Sequence, residues 1–331
     1  MQAFKNVTLL IGLLVIFCFS YLQVKNNNLH KLLVSTSSHT SKTLPFQYIP
    51  NILYSKDDLK PEVLILGSSG MRELFFHNKK LHELFSSACS REVSAFNAAS
   101  SEQNLSDSLS VIEFMDKNKS LPKKIFIEIS EGRLSADSSF QSIANNHSFY
   151  LPISENLLSN LNLNQRIFLK INHFLHMMRW WGYENLVSKL DTSYYLVEDR
   201  NMYKDETLEE DSLKALIQAR YYLQEDKYKK NSENLIKNYL KLLSRYKERT
   251  DIYFIYLPRS KFSWEYSKEK KEYKEKVLAH IKKVNFEVID IEFMEELAVE
   301  DYYDSQHLVS KGRDKFWETD NGKKITSLAC S

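Results

Sequence analysis

The chain has 331 residues, 43% of them hydrophobic and 27% charged, the balance of a globular protein able to bury a sizeable core in one large domain or two ordinary ones. Lys and Arg (45) nearly match Asp and Glu (43), a formal charge of +2, so the composition makes no electrostatic case for nucleic acid as a partner. Seven glycines and six prolines argue against collagen-like, low-complexity and large all-β architectures.

At the N-terminus, Val7 to Val24 carries no charge and is flanked by Lys5 and Lys25. A spanning helix needs about 20 apolar residues, and a slightly shorter one tilts little and recruits interfacial side chains, here Tyr21 and Gln23. The rival is a cleaved signal peptide with Leu9 to Phe19 as its apolar region. That reading needs a small-x-small cleavage site, which Ser20 to Val24 does not offer. Cys18 follows bulky Phe17, a poor match to a lipoprotein signal. The expectation is an uncleaved single-pass anchor over residues 1–25. Lys5 on one side and Lys25 and Lys31 on the other leave its orientation open by the positive-inside rule. Residues 26–60, rich in Asn, Ser, Thr and Lys and broken by Pro45 and Pro50, read as a spacer.

From residue 61 onward, short β-rich apolar runs alternate with amphipathic helical stretches, the pattern of a parallel sheet with crossover helices. Five strands are predicted: Glu62 to Leu66, Glu92 to Asn97, Lys124 to Ile129, Asp251 to Leu257 and Phe286 to Ile291. A helix is expected over the run from Met71 to Phe85. Another carries Leu235, Ile236, Tyr239, Leu240, Leu242, Leu243 and Tyr246 on one broad face, with Asn231 or Ser232 as its cap. Glu265 to Lys283 reads as a solvated helix whose Lys and Glu form i, i+4 pairs. The fold class is α/β: a three-layer sandwich around a five-stranded parallel sheet.

Between the third and fourth strands lie about 120 residues, far more than the roughly 2–6 usual for an α/β loop, so residues 132–230 are expected to form a helical insertion near the site. Its aromatic run, Phe168 to Tyr183, reads as core before it reads as a binding box, and an acidic stretch follows near Asp205 to Asp211. His173 and His176 stand at i, i+3 without a third ligand in view, so a helix-face role is preferred to metal binding. Neither a metal nor a cofactor is expected. Outside the anchor the only cysteines are Cys89 and Cys330, which allow one bridge or two free thiols and no disulfide framework.

Parallel sheets carry their functional groups at the carboxyl ends of their strands. The first strand runs into Gly67-Ser68-Ser69-Gly70, where flanking glycines permit a tight turn and a following helix would aim its first amides at a developing negative charge. The turn lacks the Gly-Lys-Ser/Thr ending of a phosphate-binding loop. A serine hydroxyl needs a base, and the base a partner that fixes its tautomer. Asp304 and His307, three apart and just before a final helix that Ser310 can cap, supply that pair.

With Gly67-Ser68-Ser69 after the first strand and Asp304-Ser305-Gln306-His307-Leu308-Val309-Ser310-Lys311-Gly312 near the end, residues 61–331 resemble the SGNH/GDSL hydrolase superfamily. Within it they resemble the membrane-anchored D-alanyl-transfer and polysaccharide O-acetylation proteins. The resemblance covers about residues 60–135 and 230–320 and implies a flavodoxin-like sheet order, Ser69 as nucleophile, His307 as base and Asp304 as its orienter. It further implies an extracytoplasmic domain, an acyl donor and an envelope glycan or related polymer as substrates, and a multispanning membrane acyltransferase as partner. The superfamily's Gly-x-Asn-Asp block after the third strand is replaced by Ile127-Glu128-Ile129-Ser130-Glu131-Gly132, which removes the usual oxyanion-binding asparagine. Ser68, Asn97 and Ser100 are the candidate substitutes, although Asn97 reads first as a strand-end turn residue. Serine-dependent acyl transfer is the expected function. An esterase with the same triad and a noncatalytic membrane assembly factor are the alternatives.

Overall fold

The computed structural model describes residues 61–76, 78–99, 103, 105–130, 158, 161–171, 209–222, 232–264, 268 and 271–331. The expected anchor and spacer, His173, His176 and most of the insertion lie outside the described residues. No described helix is long and apolar enough to cross a membrane.

Five strands form one sheet: β1 Val63–Leu66, β2 Ala95–Asn97, β3 Lys124–Glu128, β4 Asp251–Tyr256 and β5 Glu287–Asp290. Every pairing is parallel and the spatial order is β2-β1-β3-β4-β5. The helices used below are α1 Ser69–Leu74, α2 Asn78–Cys89, α3 Leu105–Lys117, α4 Glu210–Tyr222, α5 Ser232–Leu243, α6 Lys271–Lys283, α7 Ser310–Glu318 and α8 Asp320–Cys330. All five predicted strands are present, β1 and β2 shortened at the start, β3 and β4 at the end, and β5 at both ends.

Helices cover both faces of the sheet because each strand splits its side chains between two cores with period two. Leu64 and Leu66 of β1, Ile125 and Ile127 of β3, and Ile252, Phe254 and Tyr256 of β4 share one core with α3, α5 and α6. Val63 and Ile65, Phe126, and Tyr253 and Ile255 share the other with α1, α2, α7 and α8. The near-continuous apolar strands are thereby explained, since a parallel sheet is buried on both sides. In the second core Trp317 packs against Phe75, Phe76, Phe85 and Phe316, and its indole N–H donates to the Leu74 carbonyl.

Three local expectations are corrected. The run from Met71 to Phe85 is two helices: α1 stops at Leu74, where the chain turns extended at Phe75, and α2 starts at Asn78. Ser310 does not cap the last segment but is the first residue of α7, whose N-cap is Val309 without a side-chain cap bond. After α7 the chain turns at Thr319, whose side chain caps the further helix α8.

Cys89 and Cys330 are joined in a disulfide with Cα atoms 5.1 Å apart, tying the last residue of α2 to the last of α8. Of the two states the sequence allowed, the bridged one is present.

Candidate active site

In the order β2-β1-β3-β4-β5 the connections from β1 run one way across the sheet to β2, and from β3 the other way to β4, so a crevice opens at the carboxyl ends of β1 and β3. Ser69 sits there, just beyond Leu66 after Gly67 and Ser68. Its Oγ lies 2.7 Å from Nε2 of His307, a contact that closes 238 residues of chain. On the far side of the ring, His307 Nδ1 is 2.8 Å from Oδ1 of Asp304. The serine, imidazole and carboxylate singled out in the sequence therefore form one continuous hydrogen-bonded chain.

The loop carrying Asp304 and His307 is built by Asp304 itself. Its Oδ1 accepts the backbone N–H groups of Gln306 and His307, both at 3.0 Å, as well as the ring contact. Short polar side chains stabilise turns through this bonding to the backbone ahead of them. An antiparallel bridge between Tyr302 and Leu308 pinches the loop shut, with Tyr303 N–H donating to the His307 carbonyl at 2.7 Å. The buried Asp304 thus shapes the loop and orients the ring with the same atom.

Gly312 holds this loop against α7. A Cβ placed there would come within 2.2 Å of the Asp301 carbonyl oxygen and 2.8 Å of the Asp301 Cβ. Gly312→Ala must push α7 away from residues 301–308 and is expected to cost about 1–3 kcal/mol by overpacking, read as a lower melting temperature. An unchanged melting temperature would show that the helix tolerates the displacement.

A buried ionic cluster braces the loop from the other side. The Glu292 carboxylate bridges Arg259 Nε at 2.9 Å and Lys274 Nζ at 2.7 Å, and Lys274 also meets Asp290. Burial works to lower the Lys274 pKa, but Glu292 and Asp290 outweigh it and hold the ammonium above its ordinary value. Next to Arg259, Ser260 N–H donates to the Ser305 carbonyl at 3.0 Å, and Ser263 Oγ reaches the same oxygen at 3.3 Å. The described end of the insertion packs here too: Leu213 and Ile217 of α4 are buried with Phe262 and Val299.

The turn holding Ser69 is defined from below. Gly67 N–H donates to Gln103 Oε1 at 2.6 Å, and Ser68 N–H and Oγ–H both donate to Glu128 Oε2, at 2.6 and 2.7 Å. No glycine among the described residues has a positive φ. Gly67 is instead needed for close approach, since a Cβ there would lie 2.6 Å from the Met71 Cβ and 2.8 Å from the Glu128 Cβ. In the sequence Glu128 stands out only as part of a departure from a motif; a charged residue ending an otherwise apolar buried strand is the signal that could have found it.

The candidate oxyanion residues separate. Ser68 is turned into the floor of the turn, its Oγ engaged by Glu128 and by Gly70 N–H. Asn97 braces the end of α1: its Nδ2 donates to the Arg72, Phe75 and Phe76 carbonyls and its Oδ1 accepts the Ala99 N–H. These bonds fit the strand-end role and leave its amide committed to backbone. Ser100 lies outside the described residues. The amide of Ser69, first in α1, makes no hydrogen bond to another described residue, as is usual for the first turn of a helix.

Glu73 and Arg72 of α1 pair at 3.2 Å on the side of the site. Burial raises the Glu73 carboxyl above the ordinary carboxylate value, against the pull of the His307 and Arg72 charges, and Asp304 raises it further. Relative to the unfolded chain the folded state therefore retains this proton, so its contribution is full below 4.5 and is lost as pH rises through the raised folded value. Glu73→Gln, which cannot ionise, is expected to lose less stability than the native chain across that window. Parallel stability–pH curves from chemical denaturation would count against the assignment.

No protein-family model matches the chain, and a search of curated proteins returns no significant match.

Proposed function

We propose that this chain is a membrane-anchored serine acyltransferase of the SGNH type, acting outside the cytoplasm on an envelope polysaccharide or related polymer and transferring an O-acyl or D-alanyl group. The observation that supports it most is the hydrogen-bonded chain Ser69 Oγ, His307 imidazole, Asp304 carboxylate at the β1–β3 crevice, with spacings of 2.7 and 2.8 Å. In the first step His307 Nε2 takes the Ser69 proton as Oγ attacks the donor carbonyl. The tetrahedral oxyanion lies against the Ser69 N–H, and Asp304 stabilises the imidazolium through Nδ1–H. Collapse expels the donor's leaving group, which takes the proton from His307, and leaves an ester on Ser69. An acceptor hydroxyl then gives its proton to His307 and attacks the ester; as the second tetrahedral intermediate collapses, Ser69 Oγ leaves and takes that proton back from His307 Nε2, and the acyl group departs on the acceptor.

The disulfide supports the extracytoplasmic reading, because such bonds persist chiefly in oxidising compartments. The envelope substrate, the transfer outcome and a multispanning acyltransferase partner rest on the resemblance of the two sequence blocks. One observation favours the noncatalytic assembly role: the Asn97 amide is occupied by backbone carbonyls.

Treating the full chain with a fluorophosphonate ester probe and mapping the modified peptide separates the two. Adduct on Ser69 is expected; a folded chain that takes no adduct and turns over no small acetyl ester leaves the assembly role.

A further inference from the structure

Glu128 stands outside the Ser69, His307, Asp304 chain, yet among the described residues no other side chain holds the residue before the nucleophile so closely. It ends β3 with 3% of its surface exposed. Two donors of Ser68, the backbone N–H at 2.6 Å and Oγ–H at 2.7 Å, converge on a single oxygen, Oε2. With its proton directed at Glu128, the Ser68 hydroxyl offers Gly70 N–H a lone pair at 3.2 Å. Gln103 takes the N–H of Gly67 at 2.6 Å. The amides of residues 67, 68 and 70 are thereby each given an acceptor, which fixes the backbone on both sides of Ser69.

The strand register makes this contact possible. Leu66 pairs with Ile127, so Glu128 is the next β3 residue beyond the last paired residue of β1, directly beside the departing turn. At Gly67 a Cβ would lie 2.8 Å from both Cβ and Oε2 of Glu128, so the absence of a side chain lets the carboxylate reach Ser68.

We propose that Glu128 is a positioning residue for the nucleophile: by accepting both Ser68 donors, it sets where Ser69 Oγ sits relative to His307 Nε2. The proposal rests on the serine acyl-transfer reading above. What Glu128 supplies is an acceptor oxygen at one point. A carboxamide carries the same oxygen in the same place, so Glu128→Gln retains the function and Glu128→Ala does not. Displacing a reacting atom by about 1 Å costs on the order of 100-fold in rate, whereas losing one hydrogen bond of the relay costs about tenfold.

The test is the second-order rate of fluorophosphonate labelling at Ser69 in the full chain, with melting temperature measured alongside. Glu128→Ala is expected to label about 100-fold more slowly than the native chain. Glu128→Gln should recover the rate to within about fivefold, and Ser68→Ala, which breaks the relay to Gly70, should lose about tenfold. The pH profile of labelling should keep its shape in Glu128→Gln, because the His307 and Asp304 contacts are untouched. Native-rate labelling of Glu128→Ala or Ser68→Ala overturns the role, as does a folded Glu128→Gln that falls as far as Glu128→Ala, which would mean that charge is required. Should Glu128→Ala not fold, the role is overturned by Glu128→Gln falling on the order of 100-fold or by Ser68→Ala keeping the native rate. A native chain that takes no label overturns the acyl-transfer reading itself, an outcome distinct from any of these.

Discussion

Ser69→Ala is expected to abolish labelling and acyl turnover, and His307→Ala to lower turnover on the order of 10⁴-fold, with little change in melting temperature. Oγ and Nε2 are 2.7 Å apart at a strand-end crevice, and both residues are only partly buried, so neither truncation opens a cavity in the core. The serine is a weak nucleophile without the base, and the base has no proton to take without the serine. Their losses should therefore not add: Ser69→Ala with His307→Ala should be little worse than Ser69→Ala alone. Asp304→Ala differs. Because Oδ1 also accepts the Gln306 and His307 N–H groups, its loss should loosen the loop as well as slow the chemistry, and a fall in melting temperature is expected for this variant alone of the three. Acetyl-ester turnover and calorimetry on the single and double variants measure all of this. Full activity in both Ser69→Ala and His307→Ala would remove the catalytic reading.

Replacing Cys89 and Cys330 together by serine is expected to cost about 2–5 kcal/mol of stability. The bridge spans 241 residues, so in the chain-entropy view it restricts the unfolded chain strongly. It also clamps α2 to α8 on the face of the sheet where Trp317 gathers its aromatic neighbours. At roughly 2–4 °C per kcal/mol for a domain of this size, the melting temperature should fall by roughly 4–20 °C. The same drop should follow reduction of the native chain and be absent when the serine variant is treated with reductant. Identical melting of the native and serine chains would show that the bridge contributes no stability. Ser69 should still label in the serine variant below its melting temperature, because the bridge ends lie on α2 and α8, which carry none of Ser69, Asp304 and His307.

The features legible in the amino-acid order were those with a local physical cause. Apolar runs such as Val63 to Leu66 and Ile125 to Ile127 announce buried parallel strands because both faces of each strand meet a core, and the alternation with helical periods implies crossovers. The serine turn after β1 and the Asp304, His307 spacing were visible for the same reason: each is a short segment whose residue types suit one job. The break of the Met71 to Phe85 run was not visible, since it comes from packing Phe75 and Phe76 around Trp317, a residue more than two hundred positions away. Ser310 read as a cap because of its residue type, while Gly312 pressed against Asp301 sets where α7 begins to pack. Composition allowed Cys89 and Cys330 to be bridged or free, and only the meeting of α2 and α8 chose between them. Glu128 is the sharpest case: in the chain it is a charge at the end of a strand, and it becomes the floor of the Ser69 turn only because β3 lies beside β1 in that register. The local sequence determined which segments would be strands and which side chains could do chemistry; the tertiary structure decided which of them meet, because hydrogen bonds, bridges and close approaches between distant residues depend on register and packing that no short window of sequence contains.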